Sequence, residues 1–400
     1  MIELIGEILK AIIIIGTILA GILAILIWVK NQTKNITYLR TLIQVAFIPL
    51  IFLGLIVGPF GLPQSPPAGN APREVLLGAE NLKGWFPDGI TVPVLACYYP
   101  SGRTVTCAIW QIQSYIYPFW NPGLGFWGTF YTNSGIERLA IVLGLLIAMS
   151  LVLGRFFCGW ICPFGLYMDL LSNIRATFKK GYRKFSEKTN TAIHQLRYVI
   201  IAAFLIISII FGSQAIFGLQ LVSGTQQGEY VYNYFSAPYC QVCPMKPLCV
   251  LTETSLGYMD PAYVLESTTG AFYEAGYFLT SLNLAILVLV TIIALAYRRF
   301  WCRICPLGGL IALFSRYPPF KWASITRLNK VEEKCTKCGI CKRVCPTQVT
   351  EVYEKEGGDV TTPACILCLR CVEMCPYEDC LKLNVAGKTI FKSRNWVNSR

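Results

Sequence analysis

Eight cysteines near the C-terminus fall into two identical runs, Cys335-x2-Cys338-x2-Cys341-x3-Cys345-Pro346 and Cys365-x2-Cys368-x2-Cys371-x3-Cys375-Pro376. Three thiolates on one tight loop can cap three corners of a cubane iron–sulfur cluster. In tandem runs of this spacing the fourth cysteine, followed by proline, ligates the other run's cluster. The expected ligand sets are therefore Cys335, Cys338, Cys341 and Cys375 for one [4Fe-4S] cluster, and Cys365, Cys368, Cys371 and Cys345 for a second. Zinc knuckles or disulfides are the competing reading, but zinc sites use two cysteine pairs with a longer gap and usually some histidine.

A second family of cysteines sits in two related strings. Arg155-Phe-Phe-Cys158-Gly-Trp-Ile-Cys162-Pro163-Phe-Gly165 and Arg298-Arg-Phe-Trp-Cys302-Arg-Ile-Cys305-Pro306-Leu-Gly308 share a basic residue, aromatics, Ile-Cys-Pro and a glycine two residues later. Each is followed by an apolar stretch with basic residues, as suits a helix lying along a membrane interface. Two thiolates from each string would complete a third cluster, on Cys158, Cys162, Cys302 and Cys305. Buried cysteine is often only a small hydrophobe; the duplication and the Cys-Pro pairing favour ligands.

The remaining cysteines are less regular. Cys240-x2-Cys243-Pro244 with Cys249 puts three thiols within ten residues, and Cys97 and Cys107 flank a turn signal, Pro100-Ser-Gly102. Disulfides are one reading. A fourth cluster on Cys240, Cys243, Cys249 and Cys107, with Cys97 as the alternative to Cys107, is the other, since five cysteines cannot all pair.

Something must position these groups, and composition says what. The 400 residues are 54% hydrophobic and 14% charged, with mean hydropathy +0.51, which describes an integral membrane protein with a smaller water-facing part. Apolar stretches near the spanning length of about 20 residues lie at 8–29, 39–58, 139–153, 196–212 and 278–297. Five helices are expected. The first reads as a retained anchor, because Glu3 and Glu7 precede it and no cleavage site follows. The connections 30–40 and 154–197 carry eleven basic residues against Asp169 and Glu187, and 298–327 carries six and no acid. By the positive-inside rule these face the cytoplasm. Loops 59–135 and 213–276, with four basic and eight acidic residues, then lie outside, together with the N-terminus.

The net charge of +13 is this inner belt, so it does not indicate nucleic acid, and no basic stripe with a recognition fold accompanies it. One histidine, His194, excludes bis-histidine haem within the chain and reads as an interfacial residue. No phosphate-binding loop or nucleophile elbow is present, and no catalytic side chain is assigned. Aromatics from Trp110 to Tyr131 read as an interfacial belt. A quinone is compatible with them but cannot be assigned to residues.

The string Leu39-Arg40-Thr-Leu-Ile-Gln44, the two Cys-Pro strings and the tandem cysteine runs together resemble membrane polyferredoxins of the NapH/NosR type. The likeness spans roughly 36–60 and 137–380. It implies a quinol dehydrogenase or electron-relay subunit, and it matches Cys158, Cys162, Cys302 and Cys305 to that family's membrane cysteines. The second string here is Cys-x2-Cys rather than Cys-x3-Cys, and the outer loops are long and cysteine-bearing.

The expected architecture is mainly α: a polytopic membrane domain over 1–330, a cytoplasmic α+β bacterial-type 2[4Fe-4S] ferredoxin module over 331–384, and a basic tail over 385–400. The expected function is electron relay across or into the membrane, between cytoplasmic clusters and a quinone pool or external redox protein, among other oxidoreductase subunits. Such a protein supplies cluster placement rather than bond-making groups. Two other classes stay open: a thiol–disulfide reductase using the outer cysteines, and a redox sensor or assembly factor.

Overall fold

The computed structural model describes residues 36–52, 107–109, 112–113, 135–178, 181–212, 238–255 and 281–394. The apolar stretch 8–29, Cys97, the Pro100–Gly102 turn and the aromatic run from Trp110 to Tyr131, Ile112 and Gln113 excepted, lie outside them. Contacts divide the chain into two units. One comprises Met1–Ile15, Pro49–Leu146 and Val199–Thr291, and the other Gly16–Ile48, Ile147–Tyr198 and Ile292–Arg400.

The four apolar stretches beyond residue 30 are helical: α1 (Ile36–Phe52), α2 (Gly135–Leu153), α5 (Glu187–Gly212) and α8 (Ser281–Ala296). Between and after them come α3 (Phe156–Trp160), α4 (Pro163–Thr177), α6 (Pro238–Val242), α7 (Lys246–Ser255), α9 (Trp301–Ile304), α10 (Pro306–Arg316) and α11 (Phe320–Ala323). The start of α5 is written locally: Ser186 Oγ accepts from the Thr189 N–H at 3.2 Å, with Glu187 in the first turn. Its Glu187–Ile209 stretch, with mean hydropathy 1.9, is the one of spanning length among the described residues. Only 17% of its most apolar window is buried. Shorter apolar stretches are Ile36–Phe47, Val142–Leu153 and Leu282–Ala296. Val199, Ile206, Val288, Leu289 and Ile292 are each more than half exposed, an arrangement costly in water and suited to lipid.

The C-terminal part of the second unit is a small α+β module. Strands β1 (Thr326–Lys330), β2 (Gly358–Asp359), β3 (Leu381–Val385) and β4 (Lys388–Lys392) form one antiparallel sheet of order β2-β1-β3-β4. Thr326 pairs with Val385 and Lys330 with Leu381. Residues Ala386 (φ 50°) and Gly387 (φ 79°) make the two-residue turn between β3 and β4, both left-handed as a hairpin matched to strand twist requires. The sheet therefore starts five residues before the position expected for the module, and β4 occupies part of the stretch read as a tail. Short helices α12 (Ile340–Val344), α13 (Glu351–Glu354) and α14 (Arg370–Met374) lie between the strands. Leu328, Leu383, Val352, Val360, Val372 and Phe391 form the core, joined by Trp160, Ile36 and Leu39 from the helices.

Candidate iron–sulfur sites

The two cysteine runs of the module fold as the same loop twice. The residues on either side of the second cysteine are left-handed in both: Lys337 (φ 53°) and Gly339 (φ 73°) around Cys338, Leu367 (φ 50°) and Leu369 (φ 59°) around Cys368. Left-handed backbone is strained for lysine and leucine, and here it turns three thiols inward. Gly339 and Leu369 then cap α12 and α14, and each helix ends at the fourth cysteine, Cys345 or Cys375, in extended backbone. The following proline cannot continue a helix.

One cavity is lined by Cys335, Cys338, Cys341 and Cys375, with Cys380, which belongs to neither run's motif, also on its wall. A second is lined by Cys345, Cys365, Cys368 and Cys371, with Cys341 on its wall. Each cavity thus holds the first three thiols of one run together with the fourth cysteine of the other. Among the described residues no three cysteine, histidine or carboxylate side chains converge on a position that could hold a single metal ion. Thiols standing around a cavity suit a group several ångströms across better than zinc, which needs sulfur at about 2.3 Å. Burial pushes the Cys341 thiol up to about 11 and Cys365 to about 12, while the N–H of Leu367 favours the Cys365 thiolate. The Val349 N–H donates to Cys345 Sγ at 3.2 Å. Loading such a site displaces protons from its thiols.

The Cys-Pro strings also fold alike. Cys162 (φ −57°, ψ 120°) and Cys305 (φ −58°, ψ 122°) each stand at the N-cap of a helix whose first residue is proline, α4 and α10. Proline suits that position because its missing N–H would be unbonded anyway. Neither helix has a conventional capping side chain, but the N–H groups of Phe164 and Gly165 favour the Cys162 thiolate and that of Gly308 the Cys305 thiolate. Cys162, Cys302 and Cys305 are buried. Burial raises all three, Cys162 to about 12, and mutual repulsion among Cys158, Cys162, Cys302 and Cys305 adds to it. Each of these buried thiols thus feels the charge of cysteines in the other string.

Two arginines bind the strings together reciprocally. Arg155, three residues before Cys158, donates to the carbonyl of Cys302 at 2.8 Å, and Arg299, three residues before Cys302, donates to the carbonyl of Cys158 at 3.1 Å. The string glycines make room: a Cβ on Gly308 would lie 3.0 Å from Arg155 Nη2, and one on Gly165 would lie 3.0 Å from the Cys158 oxygen and 3.4 Å from Arg299 Nη1. Asp169 on α4 pairs with Arg299 and, at 3.0 Å, with Arg40. These two guanidinium groups hold its carboxyl down near 2 against the opposing effect of burial. Gln44 donates to the Gly159 carbonyl at 3.2 Å. Buried charges of this kind need partners, and carbonyls and Asp169 supply them.

Sequence reading assigned Arg155 and Arg299 to an inner charge belt and missed this role. Their equal offset from the first cysteine of each string was the available signal. His194 is buried, with Nε2 3.2 Å from the Thr347 carbonyl. In the other unit Cys107, Cys243 and Cys249 are buried and Cys240 is half-buried. The Asn283 amide donates to the carbonyls of Cys240 (3.3 Å) and Cys243 (3.4 Å).

Comparison with known families agrees with the doubling. Residues 136–181 and 280–324 both match the family described as 4Fe-4S binding domain, and 327–376 match the 4Fe-4S dicluster domain. An uncharacterized protein of Methanocaldococcus jannaschii is 25% identical over 65% of this chain and 84% of its own length. The putative electron transport protein YccM of Escherichia coli is 23% identical over 64% of this chain and 60% of its own. The regulatory protein NosR of Pseudomonas aeruginosa is 25% identical over 59% of this chain, which spans only 26% of that relative. No solved structure matches. The fold and matches define an iron–sulfur protein of the electron-transfer class. Within that class the chain is similar to the NosR, NirI and MauN proteins, each 23–25% identical to it over part of its length.

Proposed function

We propose that the chain relays electrons through three [4Fe-4S] clusters in its second unit, between cytoplasmic donors or acceptors and a quinone or external redox protein, as the membrane subunit of a larger oxidoreductase. The observation that carries this reading is the crossed lining of the two module cavities, in each of which the first three thiols of one run meet the fourth cysteine of the other, beside two Cys-Pro strings joined by reciprocal arginine–carbonyl bonds. Cys335, Cys338, Cys341 and Cys375 hold the first cluster, Cys365, Cys368, Cys371 and Cys345 the second, and Cys158, Cys162, Cys302 and Cys305 the third. When bound, such clusters supply one-electron redox chemistry; the chain's thiols, N–H groups and arginines hold them and tune them. A further cluster on Cys240, Cys243, Cys249 and Cys107 or Cys97 would carry electrons outward across a hydrocarbon layer of about 30 Å. Cys107, Cys243 and Cys249 are buried, and the Asn283 amide reaches the carbonyls of both Cys240 and Cys243.

The membrane domain is proposed to span the bilayer five times, with its N-terminus outside and the ferredoxin module in the cytoplasm. Reporter fusions near Lys184 and Asn395 should read as cytoplasmic and those near Gly69 and Gly257 as external; Gly257 and Asn395 on one side would refute the map. The cluster count is tested by anaerobic iron and sulfide analysis with EPR of the whole chain. Three clusters require about twelve irons and four about sixteen; eight or fewer would leave only the module loaded and remove the relay.

A further inference from the structure

Gly159 lies between Cys158 and Cys162, and its backbone is pressed onto the loop that carries Cys365 and Cys368. A Cβ there would overlap the carbonyl oxygen of Ile366 and stand 3.4 Å from the Cys368 nitrogen and 3.5 Å from its Cα. Only glycine permits so close an approach of two backbones. The contact is fastened on both sides. Trp160, fully buried, donates from Nε1 to the Leu367 carbonyl at 2.9 Å, Arg40 reaches the Cys368 carbonyl at 3.3 Å, and Arg155 joins the carbonyls of Cys302 and Pro363. At its far side the Cys365 loop shares a wall with the other module cavity through Cys341. At that far end Cys338 is exposed.

We infer that Gly159 is the positioning residue of an electron junction. The three thiol sites form a line, with the Cys365 site in the middle, the exposed Cys335 site outermost and the Cys158/Cys302 site innermost. The middle site is the one neighbour through which the innermost exchanges electrons with the module. Each exchange is a single electron: one centre is oxidised by one equivalent, its neighbour is reduced by one, and no bond or proton moves. The inference rests on the reading that these thiols hold clusters. It adds the order of the centres and the residue that fixes their separation.

The test uses the full chain, purified anaerobically in detergent, with iron and sulfide content and EPR of the fully reduced protein measured on the same samples. The innermost signal is identified by its disappearance in Cys162→Ala. In the wild-type protein that signal should show spin–spin interaction with a module centre. Gly159→Val should retain wild-type iron while that interaction is lost or weakened, because the added side chain separates the loops. Wild-type iron with unchanged interaction in Gly159→Val would overturn the junction. If Gly159→Val does not accumulate, Gly159→Ala and Trp160→Phe provide the same reading, and unchanged interaction in both overturns it equally. A wild-type chain lacking the innermost signal altogether would instead refute the cluster assignment on which the inference stands.

Discussion

The module and the Cys-Pro strings gather four thiols in opposite ways. In the module one loop supplies three and borrows one, so each site is three-quarters built by a stretch of seven residues such as Cys335–Cys341. The inner quartet takes two thiols from each of two strings about 140 residues apart in the chain, and nothing local specifies their meeting. What replaces local specification is the exchanged arginine pair, Arg155 to the Cys302 carbonyl and Arg299 to the Cys158 carbonyl. A site written in one loop can survive disturbance elsewhere. One written across two strings depends on every contact that brings them together.

The largest effect should come from emptying the shared site. Cys162→Ala combined with Cys305→Ala is expected to remove one cluster's iron and stop electron transfer across the membrane, while the two module centres remain reducible. Single replacement of either cysteine should abolish the same spectroscopic signal. A double variant with full iron content and intact transfer would show that these are packing cysteines, whose loss costs only modest stability. Next in size is Cys375→Ala. It should damage the centre of Cys335, Cys338 and Cys341 and spare that of Cys365, Cys368 and Cys371. Spectroscopy showing the reverse would mean that the fourth ligand is not exchanged between runs.

The arginine pair sharpens the comparison at intermediate size. Removing Arg299 leaves Asp169 buried with Arg40 alone, and breaking a buried ion pair costs about 3–5 kcal/mol. Arg155 bonds to two carbonyls, each buried hydrogen bond from a charged group contributing about 1.5–3 kcal/mol, whereas Arg299 adds one such bond, to the Cys158 carbonyl, to its ion pair. Arg299→Met should therefore lower the thermal midpoint in detergent more than Arg155→Met. Equal shifts would show that the Asp169 network adds nothing to the joining of the strings.

How much of this could be read in advance follows the same division. The crossed lining of the module cavities is consistent with spacing alone, because C-x2-C-x2-C forces three thiols onto one turn. The likeness of the two strings was also legible as a repeat, and so were four of the apolar helices. The arginines were not. A charge count treats Arg155 and Arg299 as solvated belt residues, yet both are at most 1% exposed, because carbonyls and Asp169 take over the role of water. The burial of His194 was not legible for the same reason, since the Thr347 carbonyl that receives it lies more than 150 residues away. The reach of the sheet to Lys392 was missed because four of the five β4 residues are exposed and only Phe391 is buried, too little apolar alternation to mark a strand.

The smallest expected effect compares the two module loops at equivalent positions. Lys337 and Leu367 both precede the second cysteine of a run and both are left-handed, at φ 53° and 50°. The Lys337 side chain is about half exposed and pairs with Glu332 at 3.4 Å, whereas Leu367 is 1% exposed within the core. Left-handed backbone costs an L-residue about 1–2 kcal/mol, and glycine relieves that cost while adding about 0.5–1 kcal/mol of lost chain freedom. An exposed ion pair contributes at most about 1 kcal/mol. Lys337→Gly should thus change stability by no more than about 1.5 kcal/mol in either direction. Leu367→Gly gains the same relief but loses a buried leucine, a change of about 3–5 kcal/mol, and should be clearly destabilising. Chemical denaturation of cluster-loaded protein would measure both. Equal effects at the two positions would show that the loops are held by their ligands alone, with the core behind Leu367 contributing nothing that the solvent in front of Lys337 does not.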